Sequence, residues 1–415
     1  MKRTLFWLSI AMMSSASVFA QKSNVSKAGN LLYQDPVDYA KAQEYIEMAK
    51  MDSTTAKEAK TWYIAGRIGY SMANKEVQKM YLQQQPDNEA MYTGLDMMFT
   101  NYVQADKYDG VLDKKGNVKY KERKNIKGDF KEMLLQYYSV GGAMFNLHAF
   151  DKSYIMFDEF IQIVSLPMFA DEKRPLIADS TLQEVKYYAS IAASRSEKHD
   201  IAIAYAGEVA NANGKNSSTA YQLLASEYMT LGDTVNYLAT LQKACEAYPT
   251  NPYFVGTIVN YYVMEGKTEE ALKYIDQEIE RNPANIEFVI VKADLLVKNL
   301  NQFDQARAVL QPVLDANPQS ERALLVMGDS YTAQADYILA EAEKLDLSET
   351  AKYNKEMVRM KNTYREALKF YEPLRTIMSA DNEQLRNVLL TMRGIYQRLG
   401  DTAKYQEVNA ELQTL

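Results

Sequence analysis

Apolar and polar positions along this chain recur with a helical period, and that pattern is itself repeated. Val255, Ile258, Val259 and Tyr262 fall at spacings of three, one and three, which places them on one face of a helix. Gly266 ends that stretch, and Thr268-Glu-Glu-Ala-Leu opens a second one carrying Ala271, Leu272, Ile275 and Ile279. Asn282-Pro283 stops it, because proline has no N–H to give and its ring clashes with the preceding turn. About 34 residues earlier the same order appears as Tyr221, Leu224, Ala225 and Tyr228, then Gly232-Asp233, Leu241 and Tyr248-Pro249. One period later come Ile290, Ala293, Val297, Ala306, Leu310 and Asn317-Pro318, and Leu324, Met327, Gly328 and Tyr331 begin another unit. Two short helices, each apolar on one side, cannot bury that side alone, so the pattern predicts stacked helix pairs.

Outside residues 218–331 the periodicity is looser. Ala189, Ala193, Ala202 and Ala206 predict a small-residue helix pair over 181–213. Arg365-Glu-Ala-Leu-Lys-Phe-Tyr resembles a second helix, with Ala367 as its small residue, but arrives about 27 residues late. The intervening 333–363 is charged and free of Gly and Pro, which predicts two lengthened helices in an extended hairpin rather than a loop. Met392, Tyr396, Gly400-Asp401 and Tyr405 predict a last, capping pair. In the N-terminal third, helices are expected around Ala40–Ala49, from Trp62, and over 86–106 and 128–147. Between the last two, Val111 to Tyr120 alternates around Lys115-Gly116-Asn117 and predicts a small β-hairpin near 110–121.

The start of the chain has a different character. Lys2-Arg3, an apolar run over Leu5–Met13 and Ser-Val-Phe-Ala ending at Ala20 read as a signal peptide over 1–20. Position 21 is Gln, so the lipid-anchor route that needs a cysteine there is closed. No later stretch is long and apolar enough to span a membrane, so an exported, periplasmic protein is expected, with association to the outer membrane left open. Folded regions of 21–180, divergent repeats with the hairpin, and 181–415, the regular array, are expected. With Cys245 alone, no internal disulfide can form, and packing must hold the fold.

The repeat residues resemble the tetratricopeptide repeat (TPR) family, whose first helix wants a small residue followed by Tyr. Its second helix wants a small Ala, with Pro closing the unit. Ala225, Ala293 and Gly328 match the first small site, Tyr228, Tyr262 and Tyr331 the Tyr, and Ala271 and Ala306 the second-helix Ala. Val259, Leu296 and Tyr237 depart from the pattern, and Pro312 falls inside a second helix. The resemblance implies an all-α, right-handed α-α superhelical solenoid whose first helices line a concave face holding extended peptides or helices. The positions it places there are Gln222, Ser226, Met229, Tyr253, Asn260, Val263, Glu287, Lys298, Arg322 and Asp329. The family's clamp for C-terminal carboxylates also needs basic residues at set places, and only Asn260 fits it.

Chemistry is sparse. His148 and His199 stand far apart in sequence, have no cysteine near them, and are assigned to helix ends or solvent. There is no phosphate-binding loop and no nucleophile elbow. Asp106, Asp109 and Asp113 around Gly110 have the composition of a calcium loop, but their spacing is wrong, and turn formation is the expectation. No catalytic residue, metal or cofactor is assigned. Lys114, Lys115, Lys119, Lys121, Arg123, Lys124 and Lys127 form the strongest local charge, a candidate docking patch for an anionic surface. A net charge of −7 argues against nucleic acid as a partner. The 31 tyrosines are numerous, and most are assigned to the core stripes. The function expected is a non-enzymatic exported scaffold that binds a protein or peptide partner in envelope assembly or secretion. A glycan-binding repeat protein of the outer envelope is the alternative.

Overall fold

The computed structural model describes residues 22–112, 114–379 and 383–414, so the expected signal peptide lies outside the described residues. They form 18 α-helices and one two-stranded hairpin, an all-α array of helix pairs. The chain divides into two compact units, 1–237 and 238–415. The first holds α1 (residues 22–31), α2 (Tyr39–Met51), α3 (Ala59–Tyr81), α4 (Asn88–Asp109), β1 (Val111–Leu112), β2 (Val118–Lys119), α5 (Arg123–Asn146), α6 (Phe150–Ser165), α7 (Asp179–Arg195), α8 (His199–Ala210) and α9 (Ser217–Thr230). α10 (Thr234–Ala247) contains the boundary. The second unit continues with α11 (Pro252–Met264), α12 (Thr268–Arg281), α13 (Ile286–Lys298), α14 (Phe303–Ala316), α15 (Glu321–Ala342), α16 (Thr350–Ile377), α17 (Glu383–Leu399) and α18 (Thr402–Leu412). The hairpin pairs Val111 with Lys119 and Leu112 with Val118, and Gly116 turns it at φ +80°.

One local device closes most of the pairs. Gly232, Gly266 and Gly400 adopt φ between +71° and +78° at the turn after a first helix. The next backbone N–H then reaches back five residues: Asp233 to the Tyr228 carbonyl (2.9 Å), Lys267 to Tyr262 (2.7 Å), Asp401 to Tyr396 (3.0 Å). That bond satisfies a carbonyl the helix end would otherwise orphan. The same left-handed turn is made by Gln83, His148, Glu197 and Asn301, at φ between +52° and +60°. Gln84, Ala149 and Lys198 donate the matching bond to Lys79, Met144 and Ala193, at 2.8–2.9 Å. A side chain in this conformation costs about 1 kcal/mol, and the exposed Glu197 makes no side-chain contact among the described residues that offsets it. Glu197→Gly should therefore raise unfolding stability by about 0.5 kcal/mol, even after the flexibility glycine adds to the unfolded chain. A loss of stability in urea titration would show that the turn is not strained.

Glycines inside helices do a second job. At Gly69 of α3 an added Cβ would lie 2.5 Å from the Gly94 carbonyl oxygen and 2.6 Å from the Met98 amide nitrogen, backbone against backbone. Elsewhere the missing Cβ admits an aromatic ring: Tyr102 lies over Gly66, Phe157 over Gly141, and Tyr371 over Gly328.

The second unit contains the lengthened hairpin expected at 333–363. α15 runs 22 residues and α16 runs 28, joined through a capping box in which Asp346 accepts from the Ser348 amide. The late arrival of Ala367 is thus extra helix, not loop. Its inner face is packed: Tyr364, Ala367, Tyr371 and Leu374 are buried together with Met327, Ala335 and Ile338.

Many tyrosines pack their rings in the core and turn their hydroxyls onto carboxylates of a neighbouring helix. Tyr102 donates to Asp129, Tyr205 to Asp158, Tyr364 to Asp336, Tyr371 to Asp329 and Tyr396 to Glu372. Burial and the adjacent carboxylate push these hydroxyls far above their ordinary range, so they stay neutral donors.

Candidate binding groove

The first helices of the second unit share one cleft of about 530 Å³. α11 and α13 are each started by the signal that follows a proline stop. Asn251 accepts the Tyr253 amide (3.1 Å) at α11, and Asn285 accepts that of Glu287 (3.1 Å) at α13. The Asn285 side chain also donates to the Pro249 carbonyl, tying consecutive units together. With the starts held in register, equivalent first-helix positions converge.

Of the ten groove positions expected from sequence, Tyr253, Asn260, Lys298, Arg322 and Asp329 line this cleft. Val259, Ile290, Leu325 and Val326 form apolar lining, and Gln384 of α17 joins from beyond the long hairpin. Tyr253 is 47% exposed, its ring edge-on to Phe254. Glu287 sits beside the cleft, ion-paired to Arg322 across α13 and α15. Val263 is half-buried on α11 and is not part of the cleft lining. Gln222, Ser226 and Met229 lie on α9 in the other unit, with Ser226 and Met229 exposed.

The charges of the cleft are mostly spent locally. Lys298 pairs with Asp294 at 2.9 Å, and Arg322 with Glu287. Asp329 accepts from Tyr371 at 2.6 Å, and burial holds its carboxyl above the usual range against that hydrogen bond.

Residues 262–329 match the tetratricopeptide repeat family model. They span the turn at Gly266, the Asn282-Pro283 stop, the left-handed Asn301 and the groove positions on α13 and α15. This stretch is a tetratricopeptide-repeat segment. Among solved structures it is similar to the C-terminal part of a TPR repeat-containing protein from Cytophaga hutchinsonii (12% identity, 67% of this chain and 95% of that one, TM-score 0.36). It is also similar to a tetratricopeptide repeat protein from Parabacteroides merdae (11% identity, 68% and 99%, TM-score 0.31). Yeast Tom70 matches over 98% of this chain and 76% of that one, at 14% identity and TM-score 0.36. At these values the likenesses say nothing of function. No curated protein matches the chain.

Elsewhere in the chain, the other candidate residues have local employment. Arg123 grips both oxygens of Asp106 and stacks on Tyr120, its guanidinium 3.2 Å from the ring centre. Lys127 pairs with Glu172 at 2.7 Å. The basic cluster is therefore smaller than its sequence suggests: Lys114, Lys115, Lys119, Lys121 and Lys124 are the exposed members. Asp109, 2% exposed, accepts the amides of Lys121, Glu122 and Arg123 at 2.8–2.9 Å and so starts α5. Of the three aspartates near Gly110, Asp106 and Asp109 are thus structural, and Asp113 lies outside the described residues. No group of three metal-ligating side chains occurs among the described residues.

His148 is exposed at its left-handed helix end, edge-on to Phe150. His199 departs from a capping or solvent role. Its Nδ1 lies 2.7 Å from buried Glu227, which also accepts from Ser194 (2.5 Å). Both nucleophile-like and basic groups here address the carboxylate rather than each other, which is a packing network, not a hydrolytic arrangement. Burial beside Tyr274 pushes the Cys245 thiol up to about 11, away from reactive thiolate. No described helix is long and apolar enough to cross a membrane.

Proposed function

We propose that this protein is a non-enzymatic scaffold whose second-unit groove holds a segment of a protein partner, and that it works outside the cytoplasm in envelope assembly or secretion. The observation that carries the reading is the convergence of Tyr253, Asn260, Lys298, Arg322 and Asp329, from three successive first helices, on one cleft with apolar lining. Its size and mixed lining suit a peptide backbone with alternating side chains better than a small charged metabolite. The exported location rests on the basic-then-apolar start of the chain. The exposed lysines of the hairpin would supply a peripheral contact with an anionic envelope surface.

Tyr253 and Asn260 are exposed, so removing them leaves the core intact. Tyr253→Ala with Asn260→Ala should keep the thermal midpoint within about 2 °C while reducing partner capture about tenfold or more. Cross-linking and pull-down from envelope extracts, wild type against variant, read both quantities. Undiminished capture by a folded variant would move the binding face elsewhere. A positive glycan array with no protein captured would replace this reading with the glycan-binding one.

A further inference from the structure

The tyrosine–carboxylate pairs share a composition that one member lacks. Asp129 receives Tyr102 and also Arg67, at 2.8 and 2.9 Å. Asp336 receives Tyr364 and has Arg398 at 3.8 Å, and Glu372 receives Tyr396 and has Arg375 at 3.7 Å. Asp158 receives Tyr205 and a second bond from Gln162 at 2.6 Å. Asp329 receives Tyr371 alone. Its Oδ1 takes that hydrogen bond, while Oδ2 has no partner among the described residues. Asp329 is half-buried and lines the cleft. The cations nearest in the cleft are ion-paired, Lys298 to Asp294 and Arg322 to Glu287, although the Lys298 charge also favours the ionised Asp329 from a distance.

Resting on the groove reading above, we propose that the cleft selects a partner segment carrying a lysine or arginine side chain, which pairs with Asp329 while a neighbouring apolar residue packs on the half-buried Val291 and Leu325. A mostly buried carboxylate is costly to leave with a single neutral donor; Asp129 and Asp158 each receive a second donor, and Asp336 and Glu372 each have an arginine within 4 Å. Here the second donor is missing from the described residues, and Asp329 lines the groove. A guanidinium or ammonium fits that role, whereas an acidic segment would place like charges together in a partly desolvated site. The placement depends on Gly328. Its missing Cβ lets the Tyr371 ring lie within 3 Å of where that atom would be, so the hydroxyl reaches Asp329 and holds the carboxylate in the cleft.

The test uses the chain without its signal segment and a phage-displayed random dodecapeptide library, panned on wild type and on Asp329→Asn. Asparagine keeps the shape and can still accept from Tyr371, so thermal melts should coincide. The expected result is enrichment of Lys or Arg next to an apolar residue on wild type and its loss on the variant. A fluorescein-labelled winner should then bind about tenfold or more weakly to Asp329→Asn by fluorescence polarisation. The same loss should follow from changing the peptide's basic residue to norleucine, with no further loss when both changes are combined. Peptides that depend on Tyr253 but carry no basic residue, or ignore Asp329→Asn, would overturn the inference and leave the groove standing. No enrichment, or enriched peptides indifferent to Tyr253→Ala, would overturn the groove reading itself. If Asp329→Asn misfolds, the peptide-side substitution on wild type decides the point alone.

Discussion

Gly69→Ala should destabilise the first unit by about 2 kcal/mol, although alanine is the better helix former. Propensity alone favours alanine by about 1 kcal/mol in a helix interior. At Gly69, however, the new methyl would meet the Gly94 carbonyl oxygen at 2.5 Å and the Met98 nitrogen at 2.6 Å. Both are backbone atoms of α4 and cannot rotate away. The two helices must separate along the α3–α4 crossing, loosening Tyr70, Ala73, Leu95 and Met98 of the core. Overpacking of this kind costs about 3 kcal/mol, which exceeds the propensity gain. Gly128→Ala on α5 is the control, because nothing lies within 4 Å of its added Cβ. It should stabilise by up to about 1 kcal/mol. Urea unfolding of the two variants should move in opposite directions, and movement in the same direction would refute the close crossing.

The second large effect is a dependence on pH. Glu159 of α6 is 4% exposed and faces Asp96 of α4, with Asp158 beside it on its own helix. Its Oε2 has no hydrogen-bond partner among the described residues. Burial first, and the Asp96 carboxylate second, push its pKa up from 4.5 to about 10. The proton it keeps forms the hydrogen bond to Asp96. The folded state therefore holds a proton that the unfolded state releases above its ordinary pKa. Stability from this group is full below pH 4.5 and falls as pH rises towards 10, by at most about 1.4 kcal/mol per unit. Glu159→Gln replaces the carboxylic acid with an amide that donates to Asp96 without taking up a proton. The variant should gain on wild type steadily from about pH 6 to about pH 9 in chemical denaturation. Parallel curves would show that Glu159 is ionised in the fold.

These two sites differ in how far the sequence foretells them. Gly69 and Gly94 stand in helical stretches like Gly128, and nothing local separates a glycine under a backbone from one facing water. Glu159 reads as an ordinary polar position until α4 is laid against it. The turns follow the same division. Gly232 and Gly266 announce their left-handed conformation, so the pairs they close are legible. His148, Glu197 and Asn301 adopt the same conformation with side chains that do not advertise it. The periodicity therefore fades from the sequence in the N-terminal half, although the turn device continues there.

The groove is half legible for the same reason. Tyr253, Asn260, Lys298, Arg322 and Asp329 can be chosen because a constant period carries equivalent positions to equivalent places. Gln384 cannot, since the lengthened α15 and α16 delay α17 past the expected register. The basic cluster is over-read from sequence, because the acids that engage Arg123 and Lys127 come from Asp106 and from Glu172, distant along the chain.

By itself, then, the sequence determined the class of object: helix pairs, their period, their proline and glycine stops, and the lengthened hairpin that interrupts them. Those follow from local physics, where a residue's own backbone preferences and its neighbours within one turn decide the outcome. Tertiary structure alone decided which charges are spent and which are left over. Asp129, Asp336 and Asp329 look alike in sequence, each a helical acid awaiting a tyrosine. Asp129 and Asp336 gain an arginine from elsewhere in the fold, and Asp329 does not. An ion pair depends on distance in space, and only the packed helices set that distance.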